Sequence, residues 1–92
     1  MDCDYDYIGY VALSLSGRDK KRHFIVVAQE PNFVFLADGE TRRLERPKKK
    51  KLKHVKILSM QSEAIREMLK SNPKRLLNSD IYKALEEMGF GR

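Results

Sequence analysis

The sequence predicts a mainly β protein: a small five-stranded barrel over residues 8–58, followed by two short helices within residues 59–92. Three observations predict it. Short apolar runs with strand-like alternation or β-branched character recur as far as Ile57, each closed by turn residues. Beyond Ser59 the hydrophobic period changes from two residues to about 3.6. The length of 92 residues suits one domain with a modest core, and closing a small sheet into a barrel hides its edges.

Residues 1–7, with Asp2, Asp4 and Asp6, read as an acidic arm. A calcium loop is not expected there, because Tyr7 stands at the sharp-turn glycine position and Leu13 at that of the bidentate Glu. Ile8 to Leu15 alternates, with Val11, Leu13 and Leu15 on one face and Tyr10, Ala12 and Ser14 on the other, as a half-buried strand does. Ser16 to Lys20 is a turn in which Gly17 is free to take a positive φ. Phe24–Ala28 is a β-branched second strand, and Glu30-Pro31-Asn32 is turn chemistry. Phe33–Ala37 is the third strand, with Phe24, Phe33 and Phe35 assigned to the core. Asp38-Gly39 signals a hairpin into a fourth strand, Thr41 to Leu44, which Pro47 stops. The lysine run after Pro47 reads as a mobile loop, and His54–Ile57 as the fifth strand.

Ile65, Met68 and Leu69 mark the apolar face of a first helix, ended by Asn72-Pro73. Asn78 or Ser79 is expected to cap a second helix with Asp80 in its first turn. Its apolar face is Ile81, Ala84, Leu85 and Met88, with Gly89 just past its end. The helices are too short to fold alone and are expected to pack on the barrel or on a partner.

Composition narrows the function classes. Hydrophobic content of 41% with 35% charged residues is globular. No apolar run approaches the roughly 20 residues of a membrane span, and the acidic start does not resemble a signal peptide. A cytoplasmic location without membrane contact is therefore expected. Cys3 is the only cysteine, and His23 and His54 are the only histidines, so neither a metal site nor a cofactor is expected. Ser14 and Ser16 lie near Asp19 and His23 along the chain, but sequence proximity does not make a triad. No catalytic residues, and no small-molecule substrate, are expected.

Charge is the strongest signal. The net charge is +6, yet residues 42–56 hold nine Lys or Arg (Arg42, Arg43, Arg46, Lys48, Lys49, Lys50, Lys51, Lys53, Lys56) against one acid, Glu45. A local excess of this size points to a polyanion. Lysines supply point charges to phosphates, whereas Arg18, Arg42 and Arg43 offer planar forks or stack on bases. Tyr10, opposite Val11 and Leu13, is a candidate ring for base stacking. His54 reads as a neutral strand-end histidine near phosphate.

The stretch from Gly9 through Ser16-Gly17-Arg18-Asp19-Lys20 to Phe24-Ile25-Val26-Val27 resembles the KOW motif: a glycine-led strand, a small and charged loop, and a valine-rich strand. Ala37-Asp38-Gly39-Glu40-Thr41-Arg42-Arg43 and Pro47-Lys48-Lys49-Lys50-Lys51-Leu52-Lys53-His54 are similar to the bacterial KOW-domain RNA-binding proteins. These are related to a large-subunit ribosomal protein of archaea and eukaryotes. The resemblance covers about residues 8–58, and Lys21 departs from it where many KOW units carry a second glycine. It implies an SH3-like barrel that binds RNA, with ribosomal RNA or a ribonucleoprotein as partner. The expected contacts are Arg18, Lys20, Lys21, Arg22, Arg42, Arg43, Arg46, Lys48, Lys49, Lys50, Lys51, Lys53 and His54. The competing expectation is a protein-interaction adaptor that docks through the barrel and the helical tail on a translation or transcription complex.

Overall fold

Alternation and β-branched content place four strands in one antiparallel sheet, and the Lys48–Lys51 run joins it as a fifth. The computed structural model describes residues 6–90. The strands are β1 (Tyr10–Ser14), β2 (His23–Glu30), β3 (Phe33–Ala37), β4 (Lys48–Lys51) and β5 (Val55–Gln61). Their order across the sheet is β4-β3-β2-β1-β5, so the last strand returns to pair with the first. A single 3-10 turn, Leu52–His54, carries the chain from β4 to β5. Register shifts in the β1–β5 and β2–β3 pairs bend the sheet. The result is a small barrel-like sheet followed by two helices, as the sequence predicts.

The sheet is buried on its inner face throughout and on its outer face over β1 and β2. Ala12, Phe24, Val26, Val34, Leu36 and Val55 fill the inner face. Phe24, Val26 and Leu36 are fully buried, each worth roughly 1.5–3 kcal/mol of transfer free energy. Val11 and Ile25, of opposite parity, face outward and meet Ile65, Leu76, Ile81 and Leu85 from the C-terminal segment. The tail therefore packs on the barrel, and β1 is covered on both sides rather than half-buried.

The helices are α1 (Glu63–Ser71) and α2 (Asn78–Glu87). Ser62 caps α1, its Oγ accepting from the Ile65 amide at 3.3 Å, and Asn72 ends it before Pro73. Asn78 does not cap α2 but is its first residue. Its carboxamide reaches across to residues 44–45, accepting from the Leu44 amide at 2.7 Å and donating to Glu45 at 2.8 Å. Asp80 satisfies the Leu77 amide instead. At the other end Gly89 takes φ +90°, the Gly89 amide bonds to Glu86 and the Phe90 amide to Leu85. This pairing closes the helix and delivers the Phe90 ring onto His23, centroids 4.2 Å apart.

Two expectations about the middle of the chain are corrected. Thr41 to Leu44 is not a strand. The Asp38 carboxylate accepts from the Glu40 and Arg42 amides and from the Thr41 hydroxyl, and so holds the backbone in turns. Gly39 then passes so close to α2 that a Cβ there would collide with the Asn78 carbonyl oxygen, and its φ of +83° lies in the left-handed region that favours glycine. The second correction is the lysine run, which is β4 itself and not a mobile loop. Leu36 pairs with Lys48, Phe35 with Lys49, Val34 with Lys50 and Phe33 with Lys51. Partner context overrides the low strand propensity of lysine. β5 also runs to Gln61, past residue 58.

Candidate functional site

The β1–β2 loop, residues 15–22, is where the basic segments meet. Gly17 adopts the expected positive φ, +79°, and Lys21 adopts one of +72°. A glycine would sit at Lys21 without strain, so the departure from the KOW pattern falls on a left-handed position. The Lys21 amide donates to the Ser14 carbonyl and the Leu15 amide to that of His54, which fixes the loop at both ends. Lys50 reaches in from β4 and donates through Nζ to the Ser16 carbonyl at 2.6 Å. Two crossed ion pairs join the loop to residues 38–42: Arg22 with Asp38 at 3.7 Å and Asp19 with Arg42 at 3.6 Å.

These pairs take up Asp19 and Asp38. Burial on its own raises the Asp38 carboxyl, but the hydrogen bonds from Thr41 and from the Arg42 and Glu40 amides, with Arg22 alongside, hold it below the ordinary carboxylate range. Arg18, Lys20 and Lys21 stay exposed and make no ion pair among the described residues. Lys51 and Lys53 are exposed in the same way, and the Lys53 turn adjoins the loop through the His54 carbonyl. The loop thus presents uncompensated cations on a braced backbone.

The remaining sequence candidates divide. Arg22 and Arg42 are half-buried braces, so their forks are already engaged. Lys50 is buried, with its ammonium spent on Ser16, and is removed from the set of free contacts. Arg43 and Arg46 lie on the segment that Leu44 anchors to the helical core, and Arg43 pairs with Glu45 at 3.6 Å. Asn78 donates to Glu45, and that bond, more than Arg43, holds the Glu45 carboxyl below its ordinary range. Lys48 is half-buried. Lys49 is exposed and pairs with Glu30 at 3.4 Å. Tyr10 is half-buried, and the Arg66 guanidinium lies 5.7 Å from its ring centroid. Arg66 also donates to the Asp6 and Ile8 carbonyls and, with Lys70, to the Asp6 carboxylate. Asp2, Cys3 and Asp4 lie outside the described residues.

Sequence reasoning misplaced Phe33 and Phe35. Phe24 is core, but these two point to the outer face of β3, only half-buried, and pack against neither core cluster among the described residues. The Lys49 ammonium lies 4.5 Å from the Phe33 centroid and 5.8 Å from that of Phe35. Reading Lys48–Lys51 as a strand is the signal that finds them, because register then sets Lys49 and Lys51 beside the two rings.

No catalytic geometry links the other candidates. Ser14 Oγ donates to the Ser16 carbonyl, Asp19 faces Arg42, and His23 stacks on Phe90. Burial lowers the His23 pKa from 6.5. A groove of about 380 Å³ beside His23 is lined in part by Arg22, Asp38, Tyr82 and Phe90. Among the described residues no three His, Cys, Asp or Glu side chains group to hold a metal ion, and no helix is long and apolar enough to cross a membrane. No protein-family model matches the chain, and no curated protein matches it.

Proposed function

We propose that this protein is a non-catalytic, cytoplasmic RNA-binding module of the KOW type, which docks structured RNA through the β1–β2 loop and the lysine-bearing turn beside it. Ribosomal RNA is the leading target through the resemblance of residues 8–58. The observation that carries the reading is the imbalance at the loop. Asp19 and Asp38 are taken up by Arg42 and Arg22, while Arg18, Lys20 and Lys21 project from a backbone pinned by Lys50 and His54. Cations held on a fixed frame and outside the ion pairs suit phosphate contacts that orient as well as attract. The adaptor reading loses support, because the apolar faces of both helices are already used against the sheet.

The test is the salt dependence of binding to structured RNA. With about four to six phosphate contacts, log K should fall against log salt with a slope of roughly −3 to −5. Replacing Lys20, Lys21, Lys51 and Lys53 with Ala should weaken binding to every RNA and flatten the slope by about one for each phosphate no longer neutralised. Arg18→Lys keeps the charge and loses the planar fork. It should lower the preference for a folded RNA over a random strand with the slope unchanged. A slope near zero sinks the reading.

A further inference from the structure

We infer that the outer face of β3 and β4 is a stacking platform for unpaired RNA bases, with Phe33 and Phe35 as the rings and Lys49 and Lys51 as the flanking phosphate contacts. The inference rests on the RNA-binding reading and adds a second, chemically different surface to it. An aromatic in a strand of so small a sheet ordinarily belongs to a core. Here neither ring does: the inner core takes Val34 and Leu36 from the same strand, and the helical core takes Val11 and Ile25 from its neighbours. Two large rings are left on one face, about 7 Å apart along the strand. Two successive bases of an extended chain can each meet one.

What lies beside the rings names the occupant. Register sets Lys49 opposite Phe35 and Lys51 opposite Phe33, so each ring has a cation beside it. A membrane or an acidic protein would also meet the charge, but neither needs two flat π-faces spaced for bases. Single-stranded nucleic acid combines planar faces with regularly spaced phosphates, and aromatic rings beside cations are how proteins hold it. Glu30 is the acid on this face, paired with Lys49. Binding exchanges that carboxylate for a phosphate and moves the Lys49 stem off the Phe33 ring.

The test compares two labelled strands of equal length by anisotropy: oligouridylate, and an abasic strand that keeps the phosphates and lacks the bases. The full chain should bind oligouridylate at least about ten-fold more tightly than the abasic strand. The double variant Phe33→Leu with Phe35→Leu should lose that discrimination and bind the abasic strand as the parent does. Phe33→Tyr with Phe35→Tyr should retain it. Lys49→Gln with Lys51→Gln should weaken both strands. If the leucine variant does not fold, the ring-proton shifts of Phe33 and Phe35 in the parent decide, because stacking moves them on adding oligouridylate and not on adding the abasic strand. Equal binding of both strands, or unmoved ring protons, overturns the platform and leaves the loop reading standing if structured RNA still binds with a steep salt slope. Failure to bind any RNA removes both. A dimer that the leucine variant dissociates, with no discrimination between strands, assigns the face to a second copy of the chain and overturns the inference.

Discussion

The outer side of the sheet is finished in two different ways across its width. Over β1 and β2 the second layer is helical: Ile65, Ile81 and Leu85 come down on Val11 and Ile25 and leave them fully buried. Over β3 and β4 the cover is thin: among the described residues the Lys49 ammonium lies above Phe33 and Phe35, and both rings stay half-buried. The difference teaches that burial here is decided by the second layer and not by the strand. Ile25 and Phe35 sit in adjacent strands and point to the same side, yet one is core and the other half-exposed. A fully covered patch and a half-exposed one thus share a single sheet.

Stability measurements break or sharpen this contrast, the largest effect first. Ile81→Ala opens a cavity in the covered region and should cost about 3–4 kcal/mol, and Leu36→Ala on the inner face about 2–4 kcal/mol. Phe35→Leu in the thinly covered region should cost under about 1 kcal/mol. Urea midpoints for the three variants decide it, and a Phe35 cost equal to that of Ile81 would return this ring to the core.

A smaller effect separates neighbouring lysines. Lys50→Met keeps the stem but removes the bond to the Ser16 carbonyl, and should cost about 1–2 kcal/mol. Lys49→Met, on the open side, should stay within about 0.5 kcal/mol. Equal midpoints for the two would mean that Lys50 does not brace the β1–β2 loop.

The smallest effect is set by pH. His23 packs against Phe90, and burial lowers its folded pKa below 6.5. Below pH 6.5 the unfolded chain then binds more protons than the folded one, so stability is lost as pH falls through that window. The ordinary carboxylate value of Asp38 is 3.8, so its loss of stability comes later, at lower pH. His23→Phe keeps a ring against Phe90 without the titration. Its melting temperature should be flatter between neutral pH and about pH 5 than that of the parent. Parallel curves would remove His23 from the account.

How much of the fold and the site is legible in the sequence follows from how local each signal is. The Phe24–Ala28 and Phe33–Ala37 strands, the helix faces and the Gly89 stop rest on neighbours in the chain, and all appear. The lysine strand does not rest on its neighbours. Lys48–Lys51 has neither apolar alternation nor strand propensity, and it becomes a strand only because β3 offers an unpaired edge. Without that strand the half-exposed setting of Phe33 and Phe35 beside it stays hidden. Asp38-Gly39 is legible as a turn, but the carboxylate that captures Glu40, Thr41 and Arg42 and prevents a hairpin strand is not. The basic character of the β1–β2 loop is plain from its residues. Its bracing by Lys50, Arg42 and His54 depends on contacts across the fold that no local pattern carries.

A row of four lysines along a sheet edge also bears on how the molecule behaves toward copies of itself. β4 ends the sheet order, so its outer hydrogen-bonding groups have no strand beside them in that sheet. An edge of this kind is a template for β-pairing between molecules, and inward and outward charge is a common guard against it. Antiparallel apposition of two β4 strands would set the exposed Lys49 and Lys51, with the half-buried Lys48, of one chain against the same residues of the other, a like-charge contact along the edge. The guard is purely electrostatic, so it weakens as salt shortens the screening length to about 3 Å near molar ionic strength. The charges proposed to meet a polyanion would thus also hold neighbouring copies apart, and dilute buffer is the condition in which this edge is safest from aggregation.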